Sequence, residues 1–552
     1  MIARMPRLLA TAPLAALVIG LCIPVAPAQP PPPAAAAPDG PEVLARGPVH
    51  EGFATSINQP TQGDVVPKAP PEPIEELPPD QKPDGDHVQW LPGYWHWDPD
   101  RTDFIWISGF WRAAPPGRMW VAGSWHDVPG GHQWVHGFWQ PLPAEQPGVQ
   151  QAAAHEIEYL SAPPPSIEAG PTVPAAVATS VYVPGSWVWR GRYVWRPGFW
   201  MGYRAGWMWI PAHYRWSPVG YIFVDGYWDL PLGTRGVLFT PVYYPPTYVV
   251  QAGYVYTPSY VVAEPVLMGA MFTRSGYGAY YFGDYYEARY TNVGYQPWCA
   301  AGLGGTTVVI APARYQYDPL WSYYSVTYRD TPAWQVNVTA VFVGRYNGTV
   351  PRPAQTLVQQ NTVIQQVKNV TNVTNVTNNI TVVNNNITVN NVNVSQHMML
   401  APLSVVTKLQ PQTQMRPISA EVRRQEAVHA VAIRQVAVER QRAEAAAVRA
   451  RALSPAAPGG HAPVSLKLNV PPAVVARAQV KDERKLPPPA PHAGVEPNHP
   501  SAPHAVVEPN HPSTVGEPKP QPKGPMPKGP LPKGPPPKQP PPGQTSPPHP
   551  PS

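Results

Sequence analysis

Two groups of titratable residues have the types and spacing that chemistry needs. His126, Asp127, His132 and His136 lie close together around the turn signal "DVPGG" and offer the nitrogen and oxygen atoms a divalent metal takes. A hairpin would have to bring all four to one side before they could share an ion. The spacing alone does not do so, and no metal or other cofactor is expected. Asp284 and Glu287 stand in "YYFGDYYEARY", with Arg289 beside them. Aromatic rings stack on sugar faces and carboxylates accept hydroxyl hydrogen bonds, so this is a candidate polar site for a glycan. Glycoside cleavage would need the two carboxyls roughly 5–10 Å apart across a cleft. The plainer reading is a salt bridge from Asp284 or Glu287 to Arg289.

Other catalytic signatures are missing or broken. There is no G-x-S-x-G, P-loop, H-E-x-x-H or dinucleotide fingerprint. "HEIEY" at His155 lacks the second histidine, and "GLGGTT" at Gly302 lacks a following lysine. Of the 2 cysteines, Cys22 falls in an apolar leader. Cys299, in "PWCAAG", has no histidine nearby to activate it, and one remaining thiol can make neither an internal disulfide nor a zinc site. No catalytic residues are expected.

The elements that must position these side chains come from a repeat. Aromatic-x-x-Gly-x-Trp begins at Trp90, Trp106, Trp120 and Trp134, and again at Tyr182, Trp195, Trp209 and Phe223. A period of about 14 residues suits one strand and one turn. The strand parts are aromatic and β-branched ("FIWISGFW"), and the joints are turn chemistry ("DPDRTD", "APPGR", "RGR"). The pattern predicts an antiparallel β-meander, four strands to an array. The first and last aromatics of each motif fall on opposite faces. The glycine marks a bulge, or a point where a neighbouring ring crosses the backbone. The rings are either core or an exposed binding platform. The platform would comprise Trp90, Trp95, Trp106, Trp111, Trp120, Trp125, Trp134, Trp139, Trp195 and Trp200.

These motifs resemble the WXXGXW (or YXWGXW) repeats of a family of exported bacterial proteins. The matches are Trp90-Gly93-Trp95, Trp106-Gly109-Trp111, Trp120-Gly123-Trp125, Trp134-Gly137-Trp139 and Trp195-Gly198-Trp200. Tyr182-Gly185-Trp187 and Phe223-Gly226-Trp228 match less strictly. "WIPAHY" departs, with Ala212 for the glycine and Tyr214 for the last tryptophan. The resemblance covers roughly a quarter of the chain. It implies export and brings no catalytic residues.

The remaining segments read by composition. Residues 1–28 have Arg4 and Arg7, an apolar run and an Ala26-Pro27-Ala28 ending, as a secretory signal peptide does. No later run is apolar for the roughly 18 residues of a membrane span. Residues 29–85 predict a disordered Pro/Ala-rich spacer, 86–140 the first array and 141–179 a linker. Residues 180–350 predict the second array with a Tyr/Gly-rich β region. Residues 355–396 are Asn/Val/Thr low-complexity sequence in which "LVQQNTVIQQV" could be helical, with valines 367, 370, 373 and 376 every third residue. Residues 418–453 predict a helix that Ser419 can cap, with a thin stripe of Val422, His429, Ile433 and Val436. Residues 454–552 predict a disordered basic tail. From residue 401 onward 19 Lys+Arg face 9 Asp+Glu, so the net +6 of the chain divides into a basic end and a mildly acidic body. Lys523, Lys528, Lys533 and Lys538 are spaced along polyproline-like sequence that could touch an anionic polymer.

The expectation is a mainly β, exported, non-enzymatic structural or interaction protein of the bacterial envelope or extracellular matrix, found in the periplasm, at the cell surface or outside the cell. Cell-wall or matrix polysaccharide and self-association are its expected partners. The alternative is a carbohydrate-binding module built on Trp/Tyr ladders, and a more remote one is a glycan-active enzyme.

Overall fold

The aromatic repeats fold in pairs. The computed structural model describes residues 40–57, 62–85, 87–142, 155–246, 248, 253–300, 317–370, 380–383, 386–389, 392–393, 398–452 and 462–479. Strand exceeds helix in it, 33% against 26%, and the ladders between named strands are antiparallel, so the fold is mainly β. In the first hairpin Val88–Leu91 pairs with Phe110–Ala113, and Tyr94–Asp98 pairs with Asp103–Ile107. In the second, Arg118–Val121 pairs with Phe138–Pro141 and Ser124–Val128 with Gly131–Val135. The third joins Ser180–Val183 to Phe199–Gly202 and Ser186–Trp189 to Tyr193–Arg196. The fourth joins Met208–Ile210 to Tyr227–Asp229 and His213–Ser217 to Gly220–Val224.

Each array of four expected strands therefore resolves into two hairpins, and no ladder joins its second repeat to its third among the described residues. The free edges are taken by strands from elsewhere. Gly236–Val237 and Val242–Tyr243 flank the first hairpin, and Val65–Val66 flanks the second. His155–Leu160 flanks the fourth and is itself extended by Val464–Leu468. Register explains the motif. Trp90 stands opposite Trp111 and Trp95 opposite Trp106, so the first ring of one repeat meets the last ring of the next. These pairs are edge-to-face, with centroids 5.1 and 5.2 Å apart, the arrangement aromatic quadrupoles favour. Trp187–Trp195 and Trp209–Trp228 repeat it at 5.2 and 5.1 Å.

The glycine is where the first ring of the partner repeat crosses the chain. A Cβ on Gly93 would lie 2.8 Å from the Trp106 ring, and one on Gly137 2.6 Å from Trp120. On Gly226 it would lie 2.5 Å from Trp209. No side chain fits in that space. Both strands break at this level, and in the first hairpin the two halves enter different sheets.

Several segments differ from expectation. The spacer read as disordered over 29–85 is ordered over its described residues. Leu44, Ala45, Val49, His50 and Phe53 are buried, and His50 and Phe53 pack on Phe110 of the first hairpin, His50 also on Trp120 of the second, so the segment covers apolar rings of the repeats. The linker of 141–179 carries the strand His155–Leu160 and then clasps the third hairpin. Trp187 Nε1 donates to Pro165 O over 3.0 Å and Trp200 Nε1 to Val173 O over 2.9 Å. In the Tyr/Gly-rich region "YDPLWSYYSVTY" is helical rather than stranded, since Asp318 caps Pro319–Thr327 by accepting from Trp321 N. Pro332–Tyr346 is helical too. Within 355–396 the helical alternative holds over Leu357–Val370, and Ile380–Val383, Asn386–Val389 and Val392–Asn393 form a small sheet. The tail read as disordered from 454 contributes Val464–Leu468 and the helix Pro472–Ala478. The leader of 1–28 and the lysines at 523–538 lie outside the described residues.

The helix expected at 418–453 spans Ala420–Ala452, and Val422 N donates to Ser419 Oγ at 3.3 Å. It lies against Val88–Leu91 of the first hairpin and both strands of the second repeat pair's first half. Ala430, Ile433, Val436 and Ala437 are its buried apolar residues, and Val422 and His429 are only partly covered. Its buried polar residues do as much. Glu426 accepts from Trp90 N and Lys82 Nζ, both at 3.1 Å, and Arg440 pairs with Glu444 at 2.8 Å. No described helix is long and apolar enough to cross a membrane.

Candidate functional site

At the kink of each of three hairpins, a glutamate from outside the repeats supplies the acceptor that the interrupted ladder lacks. Glu76 accepts from Gly109 N at 3.0 and 3.1 Å, Gly93 N at 3.3 Å and Trp106 Nε1 at 2.8 Å. Glu51 accepts from Gly137 N at 3.0 Å and Trp134 Nε1 at 3.4 Å, and pairs with His136 at 2.9 Å. Glu168 accepts from Gly185 N and from the Tyr182 hydroxyl, the latter at 2.9 Å. Burial pushes Glu76 up to about 7 despite these donors. Burial acts the same way on Glu51, but the hydrogen bond and charge of His136 outweigh it and hold that carboxyl low. Sequence reasoning missed all three. Nothing in "PVHEGF", "PIEEL" or "PSIEAG" marks a residue that will reach into a distant hairpin.

The four residues with metal-ligand chemistry go separate ways. His132 pairs with Asp127 at 2.9 Å, and His136 turns to Glu51. His126 faces Glu444 of the long helix at 3.3 Å, and burial lowers its pKa to about 4. No cluster of three metal-ligating side chains occurs among the described residues. His155 is buried in its strand with Nε2 lacking a partner there. Cys299 is buried and free, and burial pushes its thiol well above the usual range.

The polar triad divides. Asp284 is buried, is raised by that burial, and accepts from Gln355 Nε2 at 3.4 Å. Glu287 accepts from Arg289 Nε at 2.9 Å and lies 3.8 Å from Arg352. Arg289 reaches on to Asp100 at 3.2 Å and so joins a cavity that Asp284 and Glu287 do not line. That cavity, of about 200 Å³, lies between the turn of the first hairpin and the sheet of Gly47–Pro48, Tyr280–Phe282, Met271–Arg274 and Tyr295–Pro297. Arg46 pairs there with Asp100 and, at 3.9 Å, with Asp98, and donates to the Tyr290 hydroxyl at 2.7 Å. Burial raises the Asp98 carboxyl. Burial would raise Asp100 as well, but hydrogen bonds from Tyr290 and Arg46 hold it low.

The ten tryptophans read as a platform split by hairpin. Trp90, Trp106 and Trp111 are fully buried, and Trp95, Trp120 and Trp139 nearly so. Trp125 and Trp134 are half-buried. Trp195 and Trp200, in the third hairpin, are half-buried together with Trp187 and Trp189. No family model, no curated protein and no solved structure matches the chain.

Proposed function

We propose that this is an exported, non-enzymatic structural or interaction protein of the bacterial cell envelope or extracellular matrix. One observation carries the structural part: buried carboxylates that could do chemistry are instead committed to holding the chain together. Glu51 and Glu76 bind hairpin kinks, and Asp229 sits between Arg112, at 2.6 Å, and Arg235, at 3.3 Å, with all three side chains buried. The leader-like residues 1–28 and the WXXGXW resemblance support export. The spaced lysines of the tail would contact anionic polymer.

A second reading, carbohydrate binding by aromatic rings, draws on the third hairpin alone, where Trp187, Trp195 and Trp200 keep accessible surface. Acrylamide quenching of tryptophan fluorescence in the full chain, titrated with soluble glycans and peptidoglycan fragments, separates the two. The structural reading expects mostly blue-shifted, poorly quenched emission that no glycan alters. Protection of an accessible fraction by one glycan class, abolished in Trp195→Ala, would favour the second. Fractionation of cells expressing the chain with and without residues 1–28 tests export, and retention of both forms in the cytoplasm would defeat it.

A further inference from the structure

The third hairpin is built like the other three but is not covered like them. Strands from elsewhere flank the first, second and fourth, and none flanks the third among the described residues. Its rings are half-buried where those of the first are core. Register sorts its tip half, Ser186–Trp189 with Tyr193–Arg196, into two faces. Trp187 stands opposite Trp195 and Trp189 opposite Tyr193, so one face is four aromatic rings. Ser186, Val188, Val194 and Arg196 fall on the other, and Arg190 and Arg192 are exposed in the turn between the strands.

Charge on this stretch runs one way. From Ser161 to Ile210 there are four arginines, Arg190, Arg192, Arg196 and Arg204, against one carboxylate, Glu168, a net of +3. Two acids reach it from other segments: Asp225, 4.0 Å from Arg196, and Glu158, whose charge acts on Tyr193. With both set against it the stretch is still positive. Glu168 is already held in the kink by Gly185 N and the Tyr182 hydroxyl. Arg190, Arg192 and Arg204 are exposed and make no ion pair, side-chain hydrogen bond or ring contact among the described residues.

The surroundings of these arginines are apolar. Val194 is exposed on the face opposite the rings. The segment that clasps the rings through Pro165 O and Val173 O leaves Ile167, Val173 and Val177 exposed as well. The cross-strand ring pairs Tyr182–Trp200, Trp187–Trp195 and Trp189–Tyr193 are inclined at 65°, 69° and 72°, so they offer a sugar chain no row of coplanar faces. Tryptophan and tyrosine settle at the headgroup level of a bilayer, aliphatic side chains reach toward the acyl chains, and guanidinium groups take phosphate oxygens. An acidic polysaccharide would meet the arginines but has nothing to place on the exposed valines and isoleucine.

We propose that the third hairpin docks on an anionic lipid bilayer, tip first, with Arg190 and Arg192 on lipid phosphates and Trp189 and Val194 at the headgroup boundary. The inference goes beyond the reading above, and it holds or fails with isolated lipid whether or not the chain is exported.

Flotation of the full chain with vesicles tests it. One set is phosphatidylcholine alone, the other three parts phosphatidylcholine to one part phosphatidylglycerol, and tryptophan emission and quenching by brominated acyl chains are read on the same samples. The chain is expected to bind the anionic vesicles with blue-shifted, bromine-quenched emission, and to leave phosphatidylcholine alone unbound. Arg190→Gln and Arg192→Gln should each weaken binding by about fivefold, the attraction of one arginine near an anionic leaflet. Neither arginine has a partner to lose, so both variants should melt with the parent, and weaker binding in them cannot be put down to unfolding. The basic tail controls for plain charge attraction: replacing Lys523 and Lys528 by glutamine should leave the bromine quenching per bound chain unchanged. Failure to bind the anionic vesicles overturns the proposal, as does equal binding to phosphatidylcholine alone. Vesicle binding that leaves tryptophan emission unmoved, or that ignores both arginine substitutions, overturns it too. Tighter, arginine-dependent binding to soluble polygalacturonate would make an acidic polysaccharide the occupant instead. Protection of the rings that grows with protein concentration in the absence of lipid would make it a second copy of the chain, and either result overturns the proposal.

Discussion

Trp106 donates its indole N–H to Glu76 over 2.8 Å while the same ring lies across the backbone of Gly93. Ring, glycine and carboxylate make one unit. The ring occupies the space a Cβ would need, the missing side chain lets the strand kink, and the carboxylate accepts the N–H groups the kink leaves over. Trp134 with Glu51 repeats the unit in the second hairpin, and Tyr182 with Glu168 repeats it in the third, a phenol standing in for the indole. The fourth hairpin keeps Trp209 over Gly226 but loses the other half of the unit and its carboxylate. Phe223 has no donor, Ala212 replaces the glycine its ring would cross, and Gly226 N donates to its own neighbour Asp225 at 2.8 Å.

Removing the carboxylate should therefore unfold more than a local contact. Glu76→Ala leaves the N–H groups of Gly93, Gly109 and Trp106 buried without an acceptor, at about 1–3 kcal/mol each. Urea unfolding should show a loss of several kcal/mol, a large share of the roughly 5–15 kcal/mol of a typical fold. Glu168→Ala, in the half-exposed third hairpin where water can replace the acceptor, should cost clearly less. Equal losses in the two variants would refute the burial argument.

The ring-over-glycine contact gives a paired test. Gly109→Ala places a methyl group 2.8 Å from the Trp90 ring and 2.7 Å from Leu91 O, and backbone cannot withdraw cheaply. Overpacking of this kind costs about 1–3 kcal/mol. Ala212→Gly, the reverse change at the one motif that lacks the glycine, should lose no more than about 1 kcal/mol, the entropic cost of ordering a glycine between the strands Met208–Ile210 and His213–Ser217. A Gly109→Ala variant as stable as the parent in thermal melts would mean that the ring does not need the space.

What the sequence made legible follows from what is local. The repeat period, the turn residues, the alternation of rings and the 33-residue helix with Ser419 at its start are all set by neighbours in the chain. The glycine's role was half legible, because aromatic-x-x-Gly-x-Trp already brings a ring near a bare backbone. Which repeats pair was not, since the same aromatic pattern serves a meander and separate hairpins. Burial of residues 40–57 was hidden by their setting, because "QPPPPAAAAPDGP" before them and "PKAPPEPIEELPP" after them resemble a spacer, and the apolar Val43, Leu44, Val49 and Phe53 between show no strand or helix period. The cavity beside Arg46 was legible only at Arg289. Arg46, His96 and Tyr285 come from segments that no spacing rule connects.

Asp229 anchors another long-range contact. It lies 2.6 Å from Arg112 and 3.3 Å from Arg235 with all three side chains buried, and Arg112 also donates to Gly52 O at 3.0 Å. Asp229→Asn would leave two buried guanidinium groups facing each other without a counter-charge, at a cost of about 3–5 kcal/mol. Glu421, exposed and paired with Arg424 at 2.8 Å, provides the contrast: Glu421→Ala should leave the urea midpoint where it was. A small shift for Asp229→Asn would show that the two arginines find other acceptors.

Acid should unfold the protein, and the sign can be worked out group by group. Burial lowers His50 and His126 to about 4 and His213 to about 3, from an ordinary value near 6.5. The unfolded chain takes up these protons first. Their stabilisation is present above pH 6.5 and is lost as pH falls through 6.5 toward the folded values. At about 1.4 kcal/mol per unit, each contributes on the order of 3 kcal/mol or more. Glu76 and Asp318, both raised by burial to about 7, act in the opposite sense. The folded state binds their protons first, so stability rises as pH falls from about 7 to 4.5. These two, with Asp98, Glu264 and Asp284, whose carboxyls burial also raises, offset part of the loss from the three histidines, to which His96, His155 and His429, also lowered by burial, add. The expected result is a protein little changed from pH 7 to 6 that loses its near-ultraviolet circular dichroism between about pH 6 and 4. Glu76→Gln removes one opposing group and should steepen that loss. A signal flat down to pH 4, or a shallower transition in Glu76→Gln, would show that these side chains reach water when they titrate.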